Sequence, residues 1–141
     1  MKSLFKVVIL ALLFALPATI TNAQDCSYIF KSCASSLSGY TLVDGLYAKL
    51  DSKGAKSEVT LYSGNKYRFV GCMDESVSDA GPVVFGLADK KGNLLISNLS
   101  DDEKTAYRYI DVTCSSTDTY ILVALLNKGT ACAGILYGSA K

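Results

Sequence analysis

The chain has 141 residues, half of them hydrophobic, with 14 Lys and Arg against 13 Asp and Glu and no histidine. A formal net charge of +1 without a basic patch argues against nucleic acid or an anionic membrane surface as a partner. The length suits a single domain with one hydrophobic core.

Residues 1–23 read as a removable signal peptide. Lys2 and Lys6 supply a positive start, and Val7 to Leu16 is an apolar run of about ten residues, too short to span a bilayer. Pro17 ends that run, and Thr21-Asn22-Ala23 offers small residues for cleavage after Ala23. Cys26 follows Gln24 and Asp25 rather than a small residue, which argues against a lipid anchor. Residues 24–141 then form one exported domain, periplasmic or secreted, with no apolar run of membrane-spanning length. Lys2 and Lys6 leave with the leader, so the 14 basic residues become 12 against 13 acidic ones, a net charge of −1.

All five cysteines, Cys26, Cys33, Cys72, Cys114 and Cys132, follow the leader. In an oxidising compartment they pair, and an odd count leaves at least one over. Zinc is disfavoured, because there is no histidine and no C-x-x-C.

Asp25 is placed to cap a short helix over Cys26 to Leu37, with Cys26, Ile29, Phe30, Cys33 and Leu37 on one stripe. In such a helix Cys26 and Cys33 are two turns apart, about 10 Å, too far to bond each other. They would reach into the body of the domain instead.

From Tyr40 onward the pattern is that of strands. Eight are expected: Gly45 to Leu50, Ser57 to Tyr62, Lys66 to Cys72, Val83 to Asp89, Leu94 to Asn98, Tyr107 to Cys114, Tyr120 to Leu126 and Ala131 to Tyr137. Ser63-Gly64-Asn65 has the length of a hairpin between the second and third. Lys90-Lys91-Gly92-Asn93 joins the fourth and fifth, with Gly92 able to supply a positive φ. Val59 and Leu61 share one face against Glu58 and Thr60; Ile110, Val112 and Cys114 share one against Tyr109 and Asp111. Tyr120 to Leu126 is apolar on both faces, which predicts a central strand. Short strands at this spacing, with no long helix between them, predict a sandwich or barrel.

The run Ser63-Gly64-Asn65-Lys66-Tyr67-Arg68-Phe69, the stretch Val84 to Asn98 with its Leu87-Ala88-Asp89-Lys90-Lys91-Gly92 turn, and Thr117 to Val123 come in a telling order. They resemble the G-x-x-Y-x-F strand, L-x-D-x-x-G turn and T-G-x-Y strand of bacterial pre-peptidase C-terminal domains and their jelly-roll relatives. The resemblance covers about half the mature chain. It departs at Asp118 and Thr119, where that family carries glycine, and in the cysteines. The free-standing, cysteine-bearing layout is similar to small exported proteins of Bacteroidetes-type bacteria. The fold implied is a jelly-roll-like sandwich, which with the strand and stripe readings above gives an all-β domain of about eight strands with a short N-terminal helix. The role implied is binding or accessory.

Without histidine or a glycine-flanked serine elbow, nucleophilic catalysis has little to work with, and no enzyme activity or cofactor is expected. Asp101-Asp102-Glu103 is the densest acidic run and a candidate for calcium. Among nine tyrosines, Tyr62, Tyr107 and Tyr109 are the candidates for contact with a sugar or peptide. Asn98-Leu99-Ser100 matches a glycosylation acceptor. For the disulfides the expectation is Cys72–Cys132, enclosing about 60 residues, with Cys33 or Cys26 tied to Cys114; in the loop-entropy model the first contributes up to ~4 kcal/mol. The expected function is a non-catalytic module that binds a protein or glycan of the cell envelope or extracellular space. The alternatives are a structural or adhesive subunit joined through edge strands or the spare cysteine, and an enzyme with an unrecognised site.

Overall fold

A computed structural model of the chain describes residues 26–77 and 81–140; the leader expected over residues 1–23 and the Asp25 cap lie outside them. The chain enters through a 3₁₀ turn (Cys26–Ile29), a single α-helical turn α1 (Phe30–Cys33) and a second 3₁₀ turn (Ala34–Leu37). The short helix expected over Cys26 to Leu37 is present, with only one of its turns α-helical. The Ser32 hydroxyl donates to the Ile29 carbonyl at 2.7 Å, a local bond that competes with the helical ladder, and a helix this short is marginal on its own. The apolar stripe is nevertheless used: Cys26, Ile29, Cys33 and Leu37 are buried and Phe30 is half-buried.

Eight strands follow: β1 (Thr41–Leu50), β2 (Ala55–Leu61), β3 (Lys66–Met73), β4 (Val83–Ala88), β5 (Leu94–Ser97), β6 (Tyr109–Thr113), β7 (Asp118–Leu126) and β8 (Ala131–Ala140). They form two antiparallel four-stranded sheets, ordered β1-β8-β3-β6 (sheet A) and β2-β7-β4-β5 (sheet B). This is a jelly-roll sandwich. Every consecutive pair of strands except β4–β5 crosses from one sheet to the other.

That crossing overturns the hairpin expected at Ser63-Gly64-Asn65. The turn is short and Gly64 does take a positive φ of 85°, but β2 and β3 belong to different sheets. The turn is held by the β6–β7 crossing beside it: Gly64 N–H donates to the Cys114 carbonyl at 2.9 Å, and Cys114 N–H to the Asn65 carbonyl at 3.0 Å. The β4–β5 connection is a true hairpin. The Asp89 carboxylate accepts the Lys91 and Asn93 backbone N–H groups at 2.9 Å each, and Gly92 has φ 88°.

Two-residue alternation sorts the side chains. Val59 and Leu61, Phe85 and Leu87, and Leu122, Ala124 and Leu126 turn inward to one core. β7 lies between β2 and β4, as its two apolar faces require; its outward residues Val123 and Leu125 cluster with Val84 and Ala88 on the other side of sheet B. At the centre, fully buried Phe69 stacks on Tyr137, ring centroids 5.1 Å apart. Truncating Phe69→Ala should cost about 3–5 kcal/mol in urea unfolding. Tyr62→Ala, on an exposed side chain, should stay within about 0.5 kcal/mol.

Candidate functional site

The outward face of sheet A is also apolar. Val70 and Cys72 of β3 and Leu136 of β8 form a second cluster with Ile29, Cys33 and Leu37 of the N-terminal segment. Phe30 lies where a β-carbon on Gly45 would stand and meets Tyr47 edge-on at 5.0 Å. Two disulfides fasten the segment, Cys26–Cys132 to β8 and Cys33–Cys72 to β3, with Cα separations of 5.3 and 5.7 Å.

Neither pairing is the one expected from sequence. Cys72 is in register with Gly134, two residues along β8 from Cys132. Diagonal neighbours of that kind stand about 7–8 Å apart, beyond a comfortable bridge. Both thiols face outward instead, and the two cysteines of the segment meet them. Cys114 follows the inward parity of Ile110 and joins the core between the sheets, so sheet A itself separates it from the segment. It is the free thiol, 5% exposed, and its S–H donates to the Ser116 carbonyl at 3.0 Å. The spare cysteine is therefore not presented for joining copies of the chain.

Beside the segment, Arg68 of β3 faces its register partner Asp111 of β6. Nε and Nη2 donate to the two carboxylate oxygens at 2.7 and 2.8 Å, and Nη1 donates to the Ser36 carbonyl at 3.3 Å. The guanidinium lies between two aromatic rings, 4.1 Å from the Tyr109 centroid and 4.8 Å from that of Tyr40. The Arg68 hydrogen bonds hold the Asp111 carboxyl below the usual carboxylate range, and those with Asp111 raise Arg68 above its ordinary value. Tyr109 is thus fixed in place yet 45% exposed.

At the edge of this face, β6 parts from β3. The ladder ends at Val70 and Tyr109, with one more bond from Gly71 N–H to the Arg108 carbonyl at 2.8 Å. Beyond it the chain swings toward Asn98, a fully buried side chain. The Asn98 amide accepts Phe85 N–H and donates to the Val83 and Tyr107 carbonyls, each at 2.8 Å, while Tyr107 N–H donates to the Asn98 carbonyl at 2.7 Å. This is why the fifth and sixth strands are shorter than expected. It also corrects the glycosylation reading of Asn98, whose amide has no path to a glycan in the folded chain. The gap left by the parting strands is a notch of about 210 Å³, with Ser32, Met73, Glu75, Val83, Tyr107 and Arg108 on its walls.

Tyr109 lies against Arg68 and Tyr107 on the wall of the notch, both exposed. Tyr62 stands apart, at the turn into the other end of β3, where its N–H donates to the Tyr67 hydroxyl at 2.9 Å. Asp101-Asp102-Glu103 lies in a turn. Asp102 accepts the Ser100 hydroxyl at 2.6 Å and Lys104 N–H at 3.1 Å, and Glu103 sits at φ 58°. Among the described residues, no three Cys, Asp or Glu side chains converge to hold a metal, and no helix is long and apolar enough to cross a membrane. Arg68, Tyr40 and Arg108 were not singled out from sequence, and Asn98 was read there only as a glycosylation acceptor. The opposite charges of Arg68 and Asp111 at outward positions were the one available signal.

No family model matches the chain, and no curated protein does. Among solved structures it is similar to the crystal structure of Aeromonas hydrophila PliG, a periplasmic lysozyme inhibitor of g-type lysozyme. The TM-score is 0.46 and the identity 9%, covering 73% of this chain and 90% of that one. The pre-peptidase resemblance rests on its short motifs, with the jelly-roll order as the part visible in the fold.

Two outcomes follow from this chemistry. A non-reduced digest should yield linked peptides Cys26–Cys132 and Cys33–Cys72, with Cys114 alkylated only after unfolding; the pair C33A/C72A should lose about 2–4 kcal/mol of stability. Asp111 titrates lower folded than unfolded, so its contribution is present above about pH 4, its unfolded value, and fades as pH falls through the folded one. Urea midpoints measured down the acid limb should therefore fall less steeply in Asp111→Asn than in the parent.

Proposed function

We propose that this chain is a non-catalytic, exported binding module. Its contact face is the outer side of sheet A around Tyr109, Arg68 and Tyr107, and its partner is a protein or glycan of the cell envelope or extracellular space. The observation that carries this reading is the clamped yet exposed Tyr109. An aromatic ring already fixed by Arg68 and Asp111 loses little freedom when it meets a partner, and tyrosine is a preferred contact residue. Tyr107, 56% exposed, stands two residues away with its backbone locked to Asn98. The two disulfides support an extracytoplasmic location. The carboxyls with shifted titration, Asp74, Asp89 and Asp111, are all lowered by hydrogen bonds, Asp74 from Ser76 and Tyr28, Asp89 from Asn93 and Lys91, and Asp111 from Arg68; none is raised in the manner of a general acid.

A second reading, self-association through the free edge of β1, draws on the exposure of Leu42 and Val43 along that edge strand. The bulge between Leu42 and Asp44 works against it. A photo-reactive phenylalanine analogue at Tyr109, Leu42 or, on sheet B, Glu58 separates the two. Partner adducts from position 109 alone are expected in native envelope or culture fluid. Adducts between copies of the chain from position 42 would favour the second reading, and adducts from position 58 alone would overturn both.

A further inference from the structure

We propose that the notch beside Tyr107 receives a single pyranose ring of a glycan. The inference rests on sheet A's outer side being the contact face, and it narrows the partner to a sugar. At about 210 Å³ the notch is smaller than the roughly 300–1,000 Å³ of pockets for drug-sized ligands, which is room for one ring rather than a larger ligand.

Its chemistry is mixed in a way that selects among one-ring groups. Val83 and Met73 give an apolar wall, and exposed Tyr107 gives a flat aromatic one. Arg108 and Glu75 both line the notch, and no ion pair joins the two, so they do not neutralise each other. Arg108 donates to the Ser32 carbonyl at 3.5 Å, leaving most of its fork free. Guanidinium groups only donate and carboxylates only accept. An anionic ligand would satisfy the first and be repelled by the second, and a cation the reverse. Adjacent sugar hydroxyls donate and accept at once and can serve both.

The backbone adds to this. Along β3 the groups of Met73 point to the same side as those of Gly71, toward the space that β6 has left, where no described strand is in register with them. An apolar protein side chain seated here would bury those polar groups without partners, at a cost in affinity. A docking peptide strand would find one rung only, since β3 ends at Met73. A pyranose lays its C–H face on the Tyr107 ring and turns its hydroxyls to Arg108, Glu75 and Met73. The site is pre-formed, because the Cys33–Cys72 bridge holds one wall and Asn98 fixes the backbone of Tyr107.

The test titrates the exported, oxidised protein with the methyl glycosides of glucose, galactose, mannose and N-acetylglucosamine, followed by amide NMR. At least one should move the signals of Gly71, Met73, Tyr107 and Arg108 together and saturably. Tyr107→Ala should weaken that binding roughly tenfold, Tyr107→Phe should retain it, and Glu75→Gln should weaken it, while Tyr62→Ala at the far end of the sandwich leaves it unchanged. The proposal is overturned if none of the four glycosides moves these signals, or if Tyr107→Ala binds as well as the parent with its spectrum intact. If cross-linking from position 109 captures a partner while no glycoside moves the notch, the sugar assignment falls and the contact face stands. If both measurements are blank, both fall.

Discussion

Two-residue alternation gives every strand two faces, and only one of them can enter a sandwich core. In sheet A the second face is apolar too, with Val70, Cys72 and Leu136 pointing outward. Left bare, those side chains would forfeit the roughly 25 cal/mol per Å² that burial of apolar surface contributes. The N-terminal segment covers them. It holds only a single α-helical turn between two 3₁₀ turns, so neither local hydrogen bonding nor its own propensity would keep it there. The two disulfides do, one at the start of the cover and one at the end of its α-helical turn.

The candidate site is a product of that cover and of its limits. The segment crosses β8 and β3 but stops short of β6, and at its border Arg68 takes over. Its guanidinium reaches Ser36 on the segment, Asp111 on β6 and the rings on either side. Where β6 in turn stops short of the end of β3, the notch opens. Buried Asn98 makes that parting stable, because every polar atom of its side chain is paired and the Tyr107 backbone is held away from the ladder. A buried, fully satisfied amide thus fixes the backbone from which an exposed ring projects.

The strand pattern was legible because hydrophobic alternation reports directly on which face is buried. Val59 and Leu61, Ile110 and Cys114, and the doubly apolar β7 all fell as that pattern demands. Positive φ at Gly92 was legible from turn chemistry. Boundaries were less so: β1 begins at Thr41 rather than Gly45, because its first residues are exposed edge positions paired only with β8. The disulfides could not be read at all. Spacing along the chain says nothing about which face of which strand a thiol occupies, and Cys114 differs from Cys72 in that respect alone. Tyr107 and Tyr109 were singled out with Tyr62 as tyrosines that could face outward, and all three are exposed; which of them stands beside Arg68 depends on the register of β3 with β6, which chain order does not give.

By itself, the order of residues determined a β-sandwich with an apolar stripe ahead of it and cysteines available to fasten that stripe, because periodicity and turn residues act over a few positions. Tertiary structure alone decided that Ser63-Gly64-Asn65 crosses between sheets, that Asn98 is an internal latch and that Arg68 clamps Tyr109. Each of these is a contact between segments remote in sequence, settled by how two sheets close over one core.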